Sequence, residues 1–409
     1  MSAIKNKMKL LMCSDDPDTI LSYGLLSKML IDKIHKDYEI HYLSLQYPMG
    51  KPINRDGKYI KYPAHNQGER NPTYLPQVLG DVKPDIFWSN FDIQHYQNIE
   101  KYIHPQQLWL GWCPWDNHDQ GQIPRAQQAF KKVDIRIGIS RFGFEFLNVN
   151  KVRIDDYVYN IVDTEWFKPL PPNHPSITNW KNRNRWYKEG TKVLLFVGRP
   201  NWRKRIIHLL RIIQELKQRG NKNFMLFLHT NIHDPARTVD IDELINALEI
   251  QDHVVRSPFH WDQGIPKKEL NILYNLSTLY LAPHGGEGFG MPIVESMAAG
   301  TPFIASDYCT SREFAGENQD RGFLGPITFM KEPNGQLRLD KGVVRPYPIV
   351  SKFADIIEQV WNDDKRLKKM GENGSKWAKE NCSPKVVADK WRDIFNTFDI
   401  PIGRVEGYA

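Results

Sequence analysis

The stretch TLYLAPHGGEGFGMPIVESMAAGTPFIAS (278–306) places two apolar runs on either side of a glycine-rich segment and a helical pattern. TLYLAP and TPFIAS have the length and composition of buried strands, and PIVESMAAG has the apolar spacing of a helix. Strand–helix–strand units of this kind pair their strands in parallel. The stretch therefore predicts an α/β fold and places HGGEGFGM at a strand-to-helix turn.

The same alternation extends along the chain in two series. Strands are predicted at 8–14, 39–45, 84–89, 108–113 and 134–140, and again from 192–198 onward. Between the two series, 170–190 is rich in Pro, Asn and basic residues without clean periodicity, which is typical of a linker. We predict two doubly wound, Rossmann-like domains facing a central cleft, at 1–169 and 191–382. A final helix at 383–409 is expected to cross back to the first domain.

Composition sets limits on the class of protein. A length of 409 residues suits two domains, and 41% apolar with 25% charged residues is ordinary for a globular chain. The net charge of +7 favours anionic partners, which could be a phosphorylated donor, an anionic membrane or nucleic acid. The four cysteines are far apart, and the apolar run near the N-terminus is short. These features predict a cytoplasmic protein, with peripheral membrane contact left open.

The glycine-rich turn is an expected anion site. Backbone N–H groups at a helix N-terminus are unpaired and carry the positive end of the helix dipole, so a diphosphate could lie against them. The turn is neither a Walker P-loop nor a GxGxxG fingerprint. Glu287 and Glu295 flank this site, and a carboxylate beside a phosphate needs another ligand, such as sugar hydroxyls. The turn therefore predicts binding of a molecule that has both phosphate and hydroxyl groups.

GGEGFGMPIVESMAAGTPFIASD resembles the most distinctive motif of the family 4 glycosyltransferases, which are retaining enzymes with the GT-B fold. In that motif seven residues separate two glutamates, here Glu287 and Glu295, and an A-x-G-x-P run follows at 298–302. FVGRPNWRK (196–204) resembles the companion motif, a strand-ending Gly-Arg with a Lys five residues later. Arg205 stands where glycine is frequent in the family, so the start of the next helix is expected to differ.

The resemblance implies transfer of a sugar from a UDP- or GDP-sugar to a glycan, lipid-linked or protein acceptor, without a cofactor or a metal at the diphosphate. Glu287 is expected to face the donor sugar, and Glu295 to accept hydrogen bonds from the ribose. The diphosphate is expected to contact Gly198 and the cations Arg199 and Lys204. It is also expected to contact the backbone amides of Gly288, Phe289, Gly290 and Met291.

Other positions carry weaker signals. Asp116 and His118, in the strand-end loop of 111–124, are alternative contacts for the donor sugar, and a role as plain turn residues stays open for both. Gly24 is a candidate for approach to the donor phosphate or a simple helix-start glycine. The DxD of 240–242 opens a helical pattern, so a helix-capping role is expected rather than metal binding. Trp391, in the terminal helix, is expected to be a core residue.

Two alternatives to transfer onto a glycan, lipid-linked or protein acceptor remain at this point. The chain could be a nucleotide-sugar-binding protein that has lost catalysis, although the full set of glutamates and cations argues against this. It could also glycosylate a modified nucleic-acid base, but no basic stripe interleaved with aromatic residues stands out. Donor hydrolysis in the absence of acceptor separates a transferase from a pure binding protein.

Overall fold

The computed structural model describes residues 7–19, 22–47, 50–65, 72–258 and 265–397. The chain divides into two compact units. The first unit contains 1–115, 120–161 and 384–409, and the second contains 116–119 and 162–383. The segment predicted as a linker, 170–190, lies within the second unit and includes a helix, Pro175–Arg183. Among the described residues, no helix is long and apolar enough to cross a bilayer.

Eight strands form the sheet of the first unit in the ranges that the structure describes. They are β1 (Lys9–Ser14), β2 (Glu39–Ser44), β3 (Ile53–Arg55), β4 (Tyr59–Pro63), β5 (Ile86–Asn90), β6 (Trp109–Cys113), β7 (Ile135–Gly138) and β8 (Asp156–Tyr157). Their order is β3-β4-β2-β1-β5-β6-β7-β8, and every neighbouring pair is parallel except β3 and β4. The central strands β5 and β6 are buried along their whole length because helices cover both faces of such a sheet.

In the described part of this unit, five helices follow strands: α1 (Ser22–Ile34), α2 (Leu75–Val82), α3 (Ile93–Ile99), α4 (Ile123–Ala129) and α5 (Arg141–Val149). The predicted strands at 8–14, 39–45, 84–89, 108–113 and 134–140 correspond to β1, β2, β5, β6 and β7. The sequence pattern did not reveal the β3–β4 hairpin, whose strands are short.

The second unit contains a six-stranded parallel sheet with order β11-β10-β9-β12-β13-β14. Its strands are β9 (Lys192–Val197), β10 (Phe224–His229), β11 (Val254–Arg256), β12 (Leu279–Ala282), β13 (Phe303–Ser306) and β14 (Gly322–Gly325). Its helices are α6 (Pro175–Arg183), α7 (Ile206–Gln218), α8 (Ile241–Ala247), α9 (Lys267–Leu276), α10 (Met291–Ala298), α11 (Ser311–Ala315), α12 (Val350–Val360) and α13 (Asp364–Cys382).

The strand order of this sheet decides where a ligand can bind. β9 and β12 are hydrogen-bonded neighbours although two strands separate them in sequence. The connections after them run in opposite directions across the sheet, which makes this pair a topological switch point. Because the two strands are parallel, their carboxyl ends lie at one edge. The β9–α7 connection and the β12–α10 turn therefore meet there.

An excursion of the chain leaves the sheet between β14 and α12. It contains two short antiparallel pairs, β15 (Ile327–Thr328) with β18 (Tyr347–Pro348) and β16 (Leu339–Asp340) with β17 (Val343–Val344). We refer to residues 327–348 as the β-excursion. Strands of two residues leave no periodic signal, and the sequence pattern did not indicate them.

The last helix of the chain, α14 (Pro384–Thr397), belongs to the first unit. Trp391 on this helix is fully buried, and its ring packs edge-on against Trp88 of β5 and Trp112 of β6, with centroids 5.7 and 5.2 Å away. The expectation that Trp391 is a core residue is confirmed. Residues 398–409 of the predicted terminal segment lie outside the described residues.

Candidate functional site

The turn after β12 is held in an open loop by glycine and by one hydroxyl. Gly286 has φ +133° and Gly290 has φ +87°, which L side chains rarely adopt. The Thr310 hydroxyl, which follows β13, donates to the backbone oxygens of Glu287 (3.3 Å) and Phe289 (3.0 Å). α10 begins at Met291 with Gly290 as N-cap and no side-chain cap. The start of this helix is therefore a candidate for an anionic ligand.

Glu287, the carboxylate of this turn, forms ion pairs with two cations. It is buried, and its Oε1 lies 2.5 Å from Lys204 Nζ, while its Oε2 lies 3.5 Å from Arg203 Nη1. Burial alone would raise the pKa of Glu287, but the charges of Arg203 and Lys204 outweigh it and bring the pKa to about 2. Glu287 is therefore an anion throughout the neutral range.

A small pocket lies beside this ion pair. Lys204, Glu287 and His284 supply its polar groups, and apolar residues of β9, β12 and α10 complete the wall. The residues that line it are Phe196, Lys204, Tyr280, Ala282, His284, Glu287, Gly290, Pro292 and Ile293. The pocket thus combines a cation, an anion and the start of a helix.

His284, at the end of β12, is a neutral and fixed member of the turn. Its Nδ1 accepts the Gly286 N–H at 3.1 Å, so the proton lies on Nε2, which donates to Ser311 Oγ at 2.9 Å. Burial lowers the pKa of His284 to about 4. Its imidazole therefore shapes the turn without adding charge at neutral pH.

Asp116 is clamped between two arginines of the second unit. Its Oδ1 accepts from Arg345 Nη2 at 2.8 Å, and its Oδ2 from Arg203 Nη1 at 3.0 Å. Burial acts to raise the pKa of Asp116, yet Arg345 and Arg203 hold it below its ordinary value. His118, two residues later, packs its ring on Tyr308 at 4.7 Å, and burial lowers its pKa to about 4.

Glu295, inside α10, differs from Glu287 in its electrostatic surroundings. Its Oε2 accepts from the Tyr274 hydroxyl at 2.9 Å, and burial raises its pKa to about 7. The two glutamates of the motif therefore carry different charge states near neutral pH. Glu287 is fully ionised, whereas Glu295 is poised to gain or lose a proton.

Arg199 and Lys204 do not share a partner in the structure. Lys204 contacts Glu287, but Arg199 donates two parallel hydrogen bonds, at 2.8 and 2.9 Å, to the buried carboxylate of Asp234. Gly198 directly follows β9 with φ +155°, a conformation that L side chains rarely adopt. A Cβ there would make only ordinary van der Waals contacts with Phe196 and Lys204, so the backbone conformation rather than space favours glycine at this position.

The remaining predicted residues occupy varied places. Gly288 is buried within the turn, and the Phe289 side chain packs edge-on against Phe314 in the core. Gly24 lies in the first unit, in the first turn of α1, where a Cβ would come within 2.1 Å of the Asp16 carbonyl oxygen. Gly24 therefore has a packing reason independent of any ligand.

The DxD segment is a helix cap, as expected. Asp240 precedes α8, and its Oδ1 accepts the N–H groups of Asp242 (3.0 Å) and Glu243 (3.1 Å). The predicted capping role of this segment is confirmed.

Several residues at the site were not foreseen from the sequence. Arg203, Arg345 and Asp234 contact predicted site residues, and His284 lines the pocket together with Glu287. Arg203 and His284 had a usable signal, because each directly adjoins a motif that marks a strand end. Arg345 and Asp234 had none, since each lies far from its partner in sequence and outside any recognisable motif.

Comparison with solved structures identifies the architecture as the GT-B fold. Sucrose-phosphate synthase from Thermosynechococcus elongatus superposes with a TM-score of 0.75 at 14% identity, covering 96% of this chain and 99% of that one. Anabaena HepE, solved in complex with UDP and glucose, gives a TM-score of 0.67 at 14% identity, covering 95% and 100%. At such low identity these similarities establish the fold alone.

A family model matches part of the second unit. Residues 178–377, just under half of the chain, match the model described as glycosyl transferases group 1. The resemblance is confirmed at this level, while the narrower assignment to family 4 stays a prediction.

Two curated relatives show partial similarity to the chain. The MMP α-(1→4)-mannosyltransferase of Mycolicibacterium hassiacum is 26% identical over 185 residues, which is 45% of this chain and 38% of that protein. An uncharacterized glycosyltransferase of Methanocaldococcus jannaschii is 28% identical over 119 residues, which is 29% of this chain and 28% of that protein. The similarity thus spans well under half of each relative.

The packing of Gly286 yields a stability prediction. A Cβ there would lie 2.3 Å from the Asp116 carbonyl oxygen and 2.4 Å from Arg345 Nη1, whereas a Cβ at Gly335 meets nothing within 4 Å. Both glycines have positive φ. We expect Gly286→Ala to destabilise the protein by about 1–3 kcal/mol more than Gly335→Ala, because only the first inserts atoms into filled space. Chemical denaturation measures both, and equal losses would contradict the packing described.

Proposed function

We propose that the chain is a retaining glycosyltransferase that moves a sugar from a nucleotide-diphosphate donor to an acceptor hydroxyl. The observation that carries this proposal is the buried, ionised Glu287 paired with Lys204 at the glycine-rich start of α10. A cation and helix N–H groups suit a diphosphate, and a carboxylate on the same turn suits the sugar beside it. The group 1 family match of 178–377 supports the same activity.

In this proposal the diphosphate lies against Lys204 and the N-terminus of α10. The backbone of Gly288, Phe289, Gly290 and Met291 faces its oxygens. Arg199 would join them by exchanging its Asp234 partner for phosphate, which the exposure of its side chain permits. Glu295 would accept the ribose hydroxyls, and Asp116 or His118 would contact the sugar. A role for Gly24 at the donor stays a prediction.

The reaction breaks the bond between the anomeric carbon and the β-phosphate oxygen, and the diphosphate leaves with the electron pair. The acceptor hydroxyl oxygen forms the new bond to that carbon, and its proton passes to a phosphate oxygen of the departing diphosphate. Positive charge develops at the sugar as negative charge develops at the phosphate. Glu287 would stabilise the first charge and Lys204 the second, both in an environment with little water.

The donor and the acceptor are proposed in general terms. Solved GT-B structures include HepE with UDP-glucose and a TarM variant with UDP and α-GlcNAc-glycerol, which supports a UDP-sugar donor for this chain. A GDP-sugar remains within the proposal. The acceptor is proposed to be a glycan, lipid-linked or protein hydroxyl, and the basic net charge of +7 suits an anionic carrier.

The activity is tested by hydrolysis of the donor without acceptor. Transferases often catalyse this side reaction, and pure binding proteins do not. We expect the purified protein to hydrolyse one of a panel of UDP- and GDP-sugars and to keep this activity in EDTA. The reason is that Lys204, Arg199 and the α10 N-terminus already supply positive charge at the diphosphate. Activity that vanishes in EDTA and returns with manganese would contradict the metal-free site. NMR of the anomeric proton of the transfer product tests retention.

Substitutions of the two glutamates should impair different properties, nucleotide binding for Glu295 and turnover for Glu287. Glu295→Ala removes hydrogen bonds to a charged acceptor, worth about 1.5–3 kcal/mol, and should weaken nucleoside-diphosphate binding by about 10- to 150-fold. Glu287→Ala should lower kcat while leaving affinity for the bare diphosphate within a few-fold, because its partner is the sugar. Calorimetry with UDP and GDP, beside turnover of the full donor, distinguishes them. The reverse pattern would show that the two roles are exchanged.

The raised pKa of Glu295 predicts pH-dependent donor binding. Its carboxyl group titrates at about 7 in the free protein, and only the ionised form accepts both ribose hydroxyls. Affinity for the nucleoside diphosphate should therefore rise about tenfold from pH 6 to pH 8. Glu295→Gln, which does not titrate, is the control for ionisation of the ligand itself. Identical pH profiles for the two proteins would rule out the assignment.

A further inference from the structure

The β-excursion is fastened to the start of α7 by Arg205. This residue has a left-handed backbone, φ +56°, which an arginine rarely adopts. Its Nε and Nη2 donate to the Pro346 carbonyl oxygen at 3.1 and 2.8 Å, and its guanidinium pairs with Asp340. It also lies 3.8 Å from the centre of the Tyr347 ring. Arg205 stands where the family resemblance predicts a glycine. It is thus the residue that fastens the β-excursion to the start of α7.

The excursion in turn brings Arg345 to the glycine-rich turn. Arg345 is 5% exposed, and its Nη1 donates to the carbonyl oxygens of Asp116 (2.9 Å) and Gly285 (3.2 Å). Its Nη2 donates to Asp116 Oδ1 at 2.8 Å. The guanidinium also lies 5.0 Å from the centre of the Trp202 ring. A buried arginine with this many fixed contacts has one orientation and holds its carboxylate partner in one orientation too.

The contacts continue from Asp116 to the pocket. Asp116 Oδ2 accepts from Arg203 Nη1 at 3.0 Å, and the same nitrogen lies 3.5 Å from Glu287 Oε2. Glu287 lines the pocket, whereas Arg203, Asp116 and Arg345 are not among its lining residues. The chain of charges Arg345–Asp116–Arg203–Glu287 therefore reaches the pocket through Glu287, while its other three members lie outside the pocket lining.

We propose that Arg345 is a positioning residue of the donor-sugar site, which holds Asp116 and, through it, the Arg203 guanidinium against Glu287. This inference rests on the proposed function and adds to it a residue from the β-excursion. Without Arg345, Asp116 keeps Arg203 as its one charged partner among the described residues. Its carboxylate then loses the contact that fixes its orientation. Arg203, which also donates to the Gly286 carbonyl oxygen at 3.4 Å, is held less firmly against Glu287.

The diphosphate side of the site should not depend on this chain of charges. Lys204 reaches Glu287 directly, and the α10 N-terminus is set by Gly290 and Thr310. The loss of Arg345 should therefore affect the sugar and its transition state while sparing the bare nucleotide. A residue needed only for folding would weaken both together.

The charged and titratable groups around Glu287 come from several elements. Arg203 and Lys204 face it from the β9–α7 connection, and His284 from its own turn. Tyr280 of β12 and Cys309, which follows β13, are near enough to interact with its charge. Among these, Arg203 is the cation that Asp116 holds in place. Loss of Arg345 should thus weaken the cationic environment of Glu287 in a defined way.

The experiment compares Arg345→Ala with Arg338→Ala, an exposed arginine of the same excursion that pairs only distantly with Glu332, at 3.8 Å. We expect Arg345→Ala to bind UDP or GDP within about threefold of the unmodified protein by calorimetry. Its kcat/KM for hydrolysis of the preferred nucleotide sugar should fall about 10- to 100-fold. Arg338→Ala should match the unmodified protein in both, and Arg345→Lys should recover part of the loss.

The pH profile adds a readout that a structural role would not move. With Arg203 held near it, the pKa of Glu287 is about 2, and hydrolysis should show no acid limb from this group above pH 4. In Arg345→Ala the pKa of Glu287 should rise, and the acid limb of kcat/KM should move into the measurable range. Asp116→Asn, which removes the link between the two arginines, should produce the same shift, and adding Arg345→Ala to it should add little.

The possible outcomes separate the two claims. If the unmodified protein binds neither UDP nor GDP and hydrolyses no donor, the proposed function fails, and the positioning role fails with it. If the unmodified protein is active, two results overturn the positioning role alone. One is an Arg345→Ala protein that hydrolyses donor at the unmodified rate. The other is a variant that loses nucleotide affinity by the same factor as turnover.

Discussion

The arrangement of the second unit depends on one buried ion pair, between Glu287 and Lys204. A carboxylate cannot be buried without a compensating charge, and here the compensation comes from the connection after the neighbouring strand β9. The parallel pairing of β9 and β12 is what brings the two connections to one edge. The sheet order thus places Lys204 and Glu287 at the same edge, where they form this ion pair.

Much of the fold could be predicted because long buried strands and amphipathic helices have clear periods. β1, β2, β5, β6 and β9 all appeared in the sequence pattern close to their observed bounds. The hairpin of β3 and β4 and the β-excursion did not. β3 has three residues and each strand of the excursion has two, which is too few to establish a period. The helix Pro175–Arg183, within 170–190, was not predicted either, because Ile177 is its one buried residue and the helix lacks an apolar stripe.

The candidate site was foreseeable where its residues adjoin strand ends and not where they arrive from a distance. Glu287 and Lys204 lie in the two motifs, and the structure brings them together. The partners of Arg199 and Asp116 could not be read from the sequence, because Asp234 and Arg345 reach them through tertiary packing alone. The sequence showed an arginine at 205 where the family resemblance predicts glycine. The structural reason is a hydrogen bond to the Pro346 carbonyl oxygen, about 140 residues further along the chain.

The last helix of the chain sets the order in which the protein can be completed. α14 supplies Trp391 to the core of the first unit, beside Trp88 and Trp112, although the rest of that unit ends at residue 161. During synthesis the ribosome must deliver the whole second unit before this helix emerges. The indole rings of β5 and β6 thus lack one wall of their packing for most of translation. The nascent first unit has a vacant apolar surface in that interval, and a chaperone that shields such surfaces would act there.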